Sequence, residues 1–330
     1  MQRKIVGALA GLALGVAAIA TAPTAMAAYP EKPLTIIEPW APGSAGDVPM
    51  RILAALAQEE FGQPIVVQNL EGGTGSRAQL AAFKAEPDGY TIMNAWVATQ
   101  VMAPIFNPNV GYTRHDFEPI NLVNINPFVL AVPASHPAHS TKEFVEWAKA
   151  QPGKPNVGVC GWVGLPHLVF RRFLDVAGVK NYNPVPFSDC EIENMKALLD
   201  GTTKYAVAGL SVKKIYGDQV RLLTIFMPER SGIAPDLPTA DEEGYDLGWG
   251  PVAAGWSGLV APKGTPPERL EHLRKVFAKA TQSAEFKRRV TESGNTVLYR
   301  PTAEFKDLWE KSQELLAPAL EVLQKEKKPN

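Results

Sequence analysis

The residues best placed to do chemistry lie near the start of the chain, in Pro39-Trp40-Ala41-Pro42-Gly43-Ser44-Ala45-Gly46-Asp47. A short apolar strand, Leu34 to Ile37, leads into this loop, and the apolar periodicity of Val48 to Phe61 reads as a helix after it. A strand, a glycine loop and a helix start aim free backbone N–H groups and the positive helix end at one point, which suits an anion. Gly43 and Gly46 let the backbone approach a ligand with no Cβ in the way. No Gly-Lys-Ser/Thr closes the loop and the dinucleotide glycine fingerprint is missing, so a carboxylate fits better than a nucleotide, and no cofactor is expected. The alternative is an ordinary strand–helix connection.

Other chemistries fare worse. Ser211-Val212-Lys213-Lys214 matches the Ser-x-x-Lys of penicillin-interacting hydrolases, but neither Ser-Asp-Asn nor Lys-Thr-Gly accompanies it. There is no Gly-x-Ser-x-Gly elbow and no His-Glu-x-x-His. Asp47 is better read as a helix cap than as a base. Thiolate metal sites want three or four ligands, and Cys160 and Cys190 have only His167 near them in sequence. His136 and His139 sit in a Pro-rich stretch without carboxylate or Cys and read as surface residues. No metal site and no catalytic residue is expected.

The elements that must position the loop follow an α/β rhythm. Ile65 to Val67 is strand-like and runs into Glu71-Gly72-Gly73-Thr74-Gly75-Ser76, then a helix from Arg77 to Lys84. Pro87-Asp88-Gly89-Tyr90 is a turn, and Thr91 to Met93 the next strand. Asn107 to Pro119 is rich in Pro, Asn and Gly, and Phe128 to Pro133 is extended and apolar. A second set follows, with helices at 141–150, 167–177 and 191–200 and strands at 156–159, 183–186, 204–208 and 221–226. Gly255 to Pro262 is again extended, and amphipathic helices close the chain at 267–280, 284–293 and 303–324. This predicts largely parallel sheets whose strand-end loops gather on one edge, which brings the two glycine loops together. A second domain inserted between two crossings fits the layout: 28–127 with 256–330 as one lobe, 128–255 as the other.

Composition sets the compartment. Arg3 and Lys4, the apolar run Ile5 to Ala20 and the small-x-small site Ala25-Met26-Ala27 read as a signal peptide of residues 1–27, cleaved before Ala28. The run is short for a membrane span of roughly 20 residues, and no Cys nearby supports a lipid anchor. The expected location is the periplasm. Removing Arg3 and Lys4 leaves 31 basic against 34 acidic residues, a net charge of −3, which gives no electrostatic footprint for nucleic acid or an anionic membrane. The Lys325-Glu326-Lys327-Lys328 tail reads as a solvated end.

Five motifs in order carry a resemblance across essentially the whole mature chain: Tyr29-Pro30-Glu31-Lys32-Pro33, the Pro39–Asp47 loop, Gly62-Gln63-Pro64-Ile65-Val66-Val67, Pro87-Asp88-Gly89-Tyr90-Thr91, and Gly258-Leu259-Val260-Ala261-Pro262-Lys263-Gly264-Thr265-Pro266. Together they resemble the periplasmic solute receptors of tripartite tricarboxylate transporters, the Bug family. The resemblance implies a two-lobed clamshell, each lobe a mostly parallel sheet flanked by helices. It also implies a monomer that hands a small carboxylate transiently to membrane transporter subunits. In that family the carboxylate is held by backbone groups and ordered water from the first two glycine loops. Here these map onto Trp40, Gly43, Ser44, Ala45, Gly46 and Asp47, and onto Gly73, Thr74 and Ser76.

The departures bear on the rest of the ligand. Ser44-Ala45-Gly46 replaces the family's usual glycines and Thr, and Trp162, Val163 and Leu165 are bulky where small residues are usual. Trp162, Gly164, His167 and Gly209 are the candidates from the second lobe, and Trp96 joins the first. Any one Trp alone reads as core packing. Trp40, Trp96 and Trp162 at strand-end positions together point to a flat, aromatic or apolar ligand body. His167 reads first as a capping or packing residue. An even cysteine pair in an exported protein favours a Cys160–Cys190 disulfide, and many Bug-type receptors carry Cys at both places. A receptor for a two-component sensor would have the same clamshell, and the sequence leaves that alternative, with a secreted hydrolase behind it, open.

Overall fold

The computed structural model describes residues 29–326; the expected signal peptide of residues 1–27, Ala28 and the last four residues lie outside that range. The chain begins β1 (Leu34–Glu38), α1 (Asp47–Phe61), β2 (Ile65–Asn69), α2 (Ser76–Phe83), β3 (Thr91–Trp96), α3 (Ala103–Phe106) and β4 (Phe117–Asn126). It continues through β5 (Phe128–Pro133), α4 (Thr141–Ala150), β6 (Asn156–Cys160), α5 (Leu165–Ala177), β7 (Asn183–Phe187), α6 (Glu193–Leu199), β8 (Tyr205–Gly209), α7 (Val212–Tyr216) and β9 (Val220–Phe226). It closes with β10 (Gly255–Pro262), α8 (Pro267–Gln282), α9 (Ala284–Glu292), β11 (Thr296–Arg300) and α10 (Thr302–Lys325). Every strand and helix expected from the sequence is present, with ends shifted by at most a few residues.

The strands form two sheets, ordered β11-β4-β10-β3-β1-β2 and β7-β6-β8-β5-β9. Both are mixed, which corrects the expectation of mostly parallel sheets. β1 pairs in parallel with β2 and β3, and β6 with β7 and β8. The antiparallel remainder follows from the crossings. β4 carries the chain out of the first sheet and β10 brings it back beside β4, so the two run in opposite senses from Gly255 opposite Asn126 to Pro262 opposite Phe117. β5 then enters the second sheet antiparallel to β8 and β9.

These registers place the strand ends. β4 ends at Asn126 on the edge where β1 and β3 also end, and Phe128, the first residue of β5, lies opposite Gly209, the last of β8. Both sheets therefore turn the C-terminal ends of their parallel strands toward the crossing, and the loops that follow leave the sheets at those edges. Chain direction alone fixes this.

One core packs α1, α8 and α9 on the first sheet through Leu34, Ile36, Leu53, Phe61, Leu273 and Phe277. A larger one runs from the opposite face, under α10, into the second sheet. The fully buried Trp256 fastens α10 by donating from Nε1 to Ser312 Oγ at 2.9 Å. Glu326, expected in a free tail, accepts both terminal nitrogens of Arg171 at 2.5 and 2.7 Å. His136 is buried against Trp147 and Phe144 rather than on the surface, and burial with the nearby Arg221 pushes its pKa down to about 4. His139 is exposed, as expected. No helix among the described residues is long and apolar enough to cross a membrane.

Candidate functional site

The first loop is organised by Asp47. Its Oδ2 accepts from Gly43 N and from Arg51 Nε, both at 2.8 Å, and its Oδ1 accepts from Asn69 Nδ2 at 2.8 Å. Burial pushes this carboxyl up, but bonds from Arg51, Gly43 and Asn69 outweigh it and hold it below the usual range. Asp47 is thus a fixed anion that closes the loop on itself, which fits the capping role. Ser44 Oγ accepts from Asp47 N at 3.3 Å, and Ser44 and Val48 N–H groups donate to Ala41 O and Ser44 O. Among the described residues, the loop's own structure therefore occupies Gly43, Ser44, Asp47 and Val48, and leaves the N–H groups of Ala41 and, at the helix start, Ala45 and Gly46 without an internal acceptor.

The second loop contains a single 3-10 turn, Gly73–Gly75, before α2. Gly75 N and Arg77 N donate to Gly72 O, Ser76 N donates to Gly73 O, and the N–H groups of Gly72 and Gly73 have no acceptor among the described residues. Gly75 has φ +86° and is pressed on Thr99 and Pro39, so a Cβ there would run into the Thr99 methyl. Thr99 in turn accepts from Gln79 Nε2 at 2.7 Å and donates to Trp96 O at 3.0 Å. It lies in a π-helical turn, Ala98–Met102, a deviation that recurs at functional sites. Three loops of the first sheet are thereby locked together.

Beneath the first loop lies a group the sequence reading passed over. Glu38, the last residue of β1, is fully buried; it accepts from Asn94 Nδ2 at 2.7 Å and from Trp40 N at 3.3 Å. Burial raises its pKa to about 8 against the opposing bonds from Asn94 and Trp40. Trp40 and Trp96 meet edge-to-face at 6.2 Å, and a Cβ on Gly46 would sit 2.7 Å from Glu38 Oε1, 2.8 Å from Trp40 and 3.0 Å from Trp96. Trp96, Ser257 and Asn124 are register neighbours across β3, β10 and β4. Ser257 Oγ donates to Asn124 Oδ1 at 2.6 Å, while Asn94 Oδ1, Trp96 Nε1 and Asn124 Nδ2 are buried without partners among the described residues. A lone acid ending an apolar strand was the available signal.

The second sheet's loops are built differently. Cys160, ending β6, is disulfide-bonded to Cys190, as expected. A Cβ on Gly164 would collide with Cys160 O, so glycine is required where the chain doubles back into α5. Trp162 does not join the Trp40–Trp96 pair; it lies against α10 and donates from Nε1 to Leu323 O at 3.3 Å. His167 is buried with Nδ1 2.6 Å from Trp162 O, and burial lowers its pKa, so it serves as a neutral strut for that loop. A Cβ on Gly209 would sit 2.7 Å from Glu191 Oε1, 3.3 Å from Ser211 Oγ and 3.6 Å from Asn126 Oδ1, which brings Glu191 and Asn126 to the crossing as further unforeseen residues. Burial, with Asp189 adding, raises the Glu191 pKa. Ser211 Oγ donates toward Glu191 at 3.4 Å while Lys214 Nζ reaches Glu292 O, so the Ser-x-x-Lys pairing is not made.

A family model described as "Tripartite tricarboxylate transporter family receptor" matches residues 50–317. The UPF0065 protein in gbd 5'region of Cupriavidus necator is 32% identical over 87% of both chains, and protein BugT of Bordetella pertussis is 30% identical over 84% of both. Among solved structures, a TctC solute-binding protein from Polaromonas is similar in fold, with TM-score 0.77 at 24% identity over 89% of this chain and 99% of its own. MatC from Rhodopseudomonas palustris with bound malate has TM-score 0.67, and a second R. palustris protein, with adipate, 0.72; both are 24% identical over 88% and 89% of this chain and 100% and 98% of theirs. A family match over most of the chain, the paired mixed sheets and the glycine loops at their strand ends lead to one conclusion: this chain belongs to the tripartite tricarboxylate transporter receptor family, a family of periplasmic binding proteins.

Proposed function

We propose that the protein is exported to the periplasm and captures a small carboxylate between its lobes for delivery to a tripartite tricarboxylate-type membrane transporter, without catalysis. The observation that carries this reading is the pair of helix-start loops whose Ala45, Gly46, Gly72 and Gly73 N–H groups lack internal acceptors. No Arg or Lys occurs in the first loop to compete for the anion. Malate and adipate in two proteins of the same fold support a carboxylate. The Trp40–Trp96 pair supports a ligand with an apolar or flat body. The division into 28–127 with 256–330 and 128–255 is part of this reading, supported by the membership of the two sheets.

Thermal shift against mono-, di- and tricarboxylates, aliphatic and aromatic, tests it. A ligand at a hundred times its Kd stabilises the fold by about 2.7 kcal/mol. If every carboxylate leaves the melting temperature unmoved, the receptor reading fails; turnover of any of them makes the protein an enzyme.

A further inference from the structure

Glu38 poses a question that carboxylate capture alone does not answer: why an acid is buried at the base of an anion-binding loop. Its Oε1 lies 2.7 Å from where a Gly46 Cβ would be, so it is within about 4 Å of Gly46 Cα when a C–C bond of ~1.5 Å is allowed for. Gly46 N–H is one of the first loop's donors without an acceptor among the described residues. A ligand carboxylate on that donor and an ionised Glu38 would stand about 6 Å apart. At an effective dielectric of ~20, two such charges weaken binding by roughly a hundredfold.

Building on the receptor reading, we infer that the site is proton-linked: Glu38 must carry a proton for the first loop to accept a carboxylate, so the ligand enters with a proton whenever Glu38 is ionised beforehand. The surroundings favour the neutral acid. Glu38 has no solvent exposure, and its facing charges are Asp47 and Arg51 of α1, which are paired with each other at 2.8 Å. β3 contributes Asn94 and Trp96 and the loop contributes Trp40, all uncharged. The proton also has an acceptor. Turning the Asn94 amide over brings its Oδ1, otherwise without a partner, opposite Glu38 Oε2 at the existing 2.7 Å. The raised pKa agrees with this geometry. A bound anion raises it further, which is the reciprocal half of the linkage.

Titration calorimetry with malate, adipate and benzoate from pH 6 to 9.5, on wild type and Glu38→Gln, tests the inference. Each probe keeps an ionised carboxylate throughout, and above about pH 7 every carboxylate is ionised, so their own titration does not intrude on the alkaline limb. Wild-type Kd is expected to be level near pH 6–7 and to rise toward tenfold per pH unit above about pH 8. Glu38→Gln, which imitates the protonated acid, is expected to keep its pH 6 affinity at pH 9.5. Matching pH profiles for the two proteins would overturn the proposal. Should the variant misfold, wild type alone decides. At pH 9, heats in two buffers of different ionisation enthalpy should report close to one proton taken up per ligand, and none taken up refutes the linkage. Binding at every pH without proton uptake leaves the receptor reading intact and removes only this inference. If none of the three probes binds, a carboxylate that shifts the melting temperature in the thermal screen takes their place; if no carboxylate does, the receptor reading falls and takes the inference with it.

Discussion

The strand-end loops of the two sheets occupy equivalent places but are held by different means. In the first sheet, Asp47 fixes the loop by accepting from Gly43, Arg51 and Asn69, and this bracing leaves Ala45 and Gly46 N–H groups unspent. In the second, a disulfide and the buried His167 hold the loop. Gly161 N donates to Phe187 O, Gly164 N to Gly161 O and Leu168 N to Gly164 O, and Pro166 has no N–H to give. One loop is braced by side chains so that its backbone can receive charge. The other is fixed covalently and carries bulky side chains, and its Trp162, Val163, Leu165 and His167 N–H groups also lack acceptors among the described residues. The same strand–loop–helix topology is thus braced by side chains in one sheet and by a covalent bond in the other; under the proposed function the first side is the grip and the second a shape filter.

The largest expected effect tests the grip. Gly46→Val places its side chain on Glu38, Trp40 and Trp96, and carboxylate binding should fall more than about a hundredfold, with overpacking costing roughly 1–3 kcal/mol of stability. Gly43→Val is the informative contrast. A Cβ there meets nothing within 4 Å, so only the strain of φ +82° is felt and binding should survive. If calorimetry finds the two variants equally impaired, the loop does not receive its ligand at Gly46.

The contrast shows what the sequence could and could not reveal. Glycine between a strand and a helix marks the loop, but both glycines look alike on paper; only the folded convergence of Glu38, Trp40 and Trp96, the last fifty residues away, makes Gly46 the crowded one. Asp47 was legible as a cap because a helix start has a definite chemistry for acids. β4 was not legible, because Asn121, Asn124 and Asn126 interrupt its apolar run, and two of them find partners on distant elements: Asn124 on Ser257 of β10, and Asn121 on Thr281 of α8 at 3.3 Å. Trp162 misled for a related reason. Its position after a strand is local information, but its attachment to Leu323 depends on a helix more than 150 residues later.

On the filter side, the Cys160→Ala/Cys190→Ala double variant should lose roughly 3–4 kcal/mol of stability under the chain-entropy account of a loop of this length. Denaturant unfolding reads this directly. The first-sheet donors are untouched by it, so carboxylate affinity should change by less than tenfold once the protein is folded. A collapse of affinity in a folded double variant would mean that the second-sheet loop shares the grip, and the division drawn between the two sides would not stand.

The smallest expected effect is the most discriminating for the grip itself. Arg77 follows the second glycine loop and is the cation best placed in sequence to hold a carboxylate bidentately. Its side chain is exposed, and its Nη1 points back along the loop toward Glu71 O at 3.4 Å, at the limit of a hydrogen bond. An exposed guanidinium in that position is well hydrated and adds little to an anion already bound by converging N–H groups. Arg77→Ala should therefore weaken binding by no more than about threefold, within the modest range of solvent-exposed charge pairs. It should also leave the melting temperature of the unliganded protein unchanged. A loss near 3 kcal/mol, the scale of a desolvated charge-assisted pair, would show that Arg77 swings in to meet the ligand. The grip would then be ionic, and the backbone donors of Ala45, Gly46, Gly72 and Gly73 would only orient what Arg77 holds.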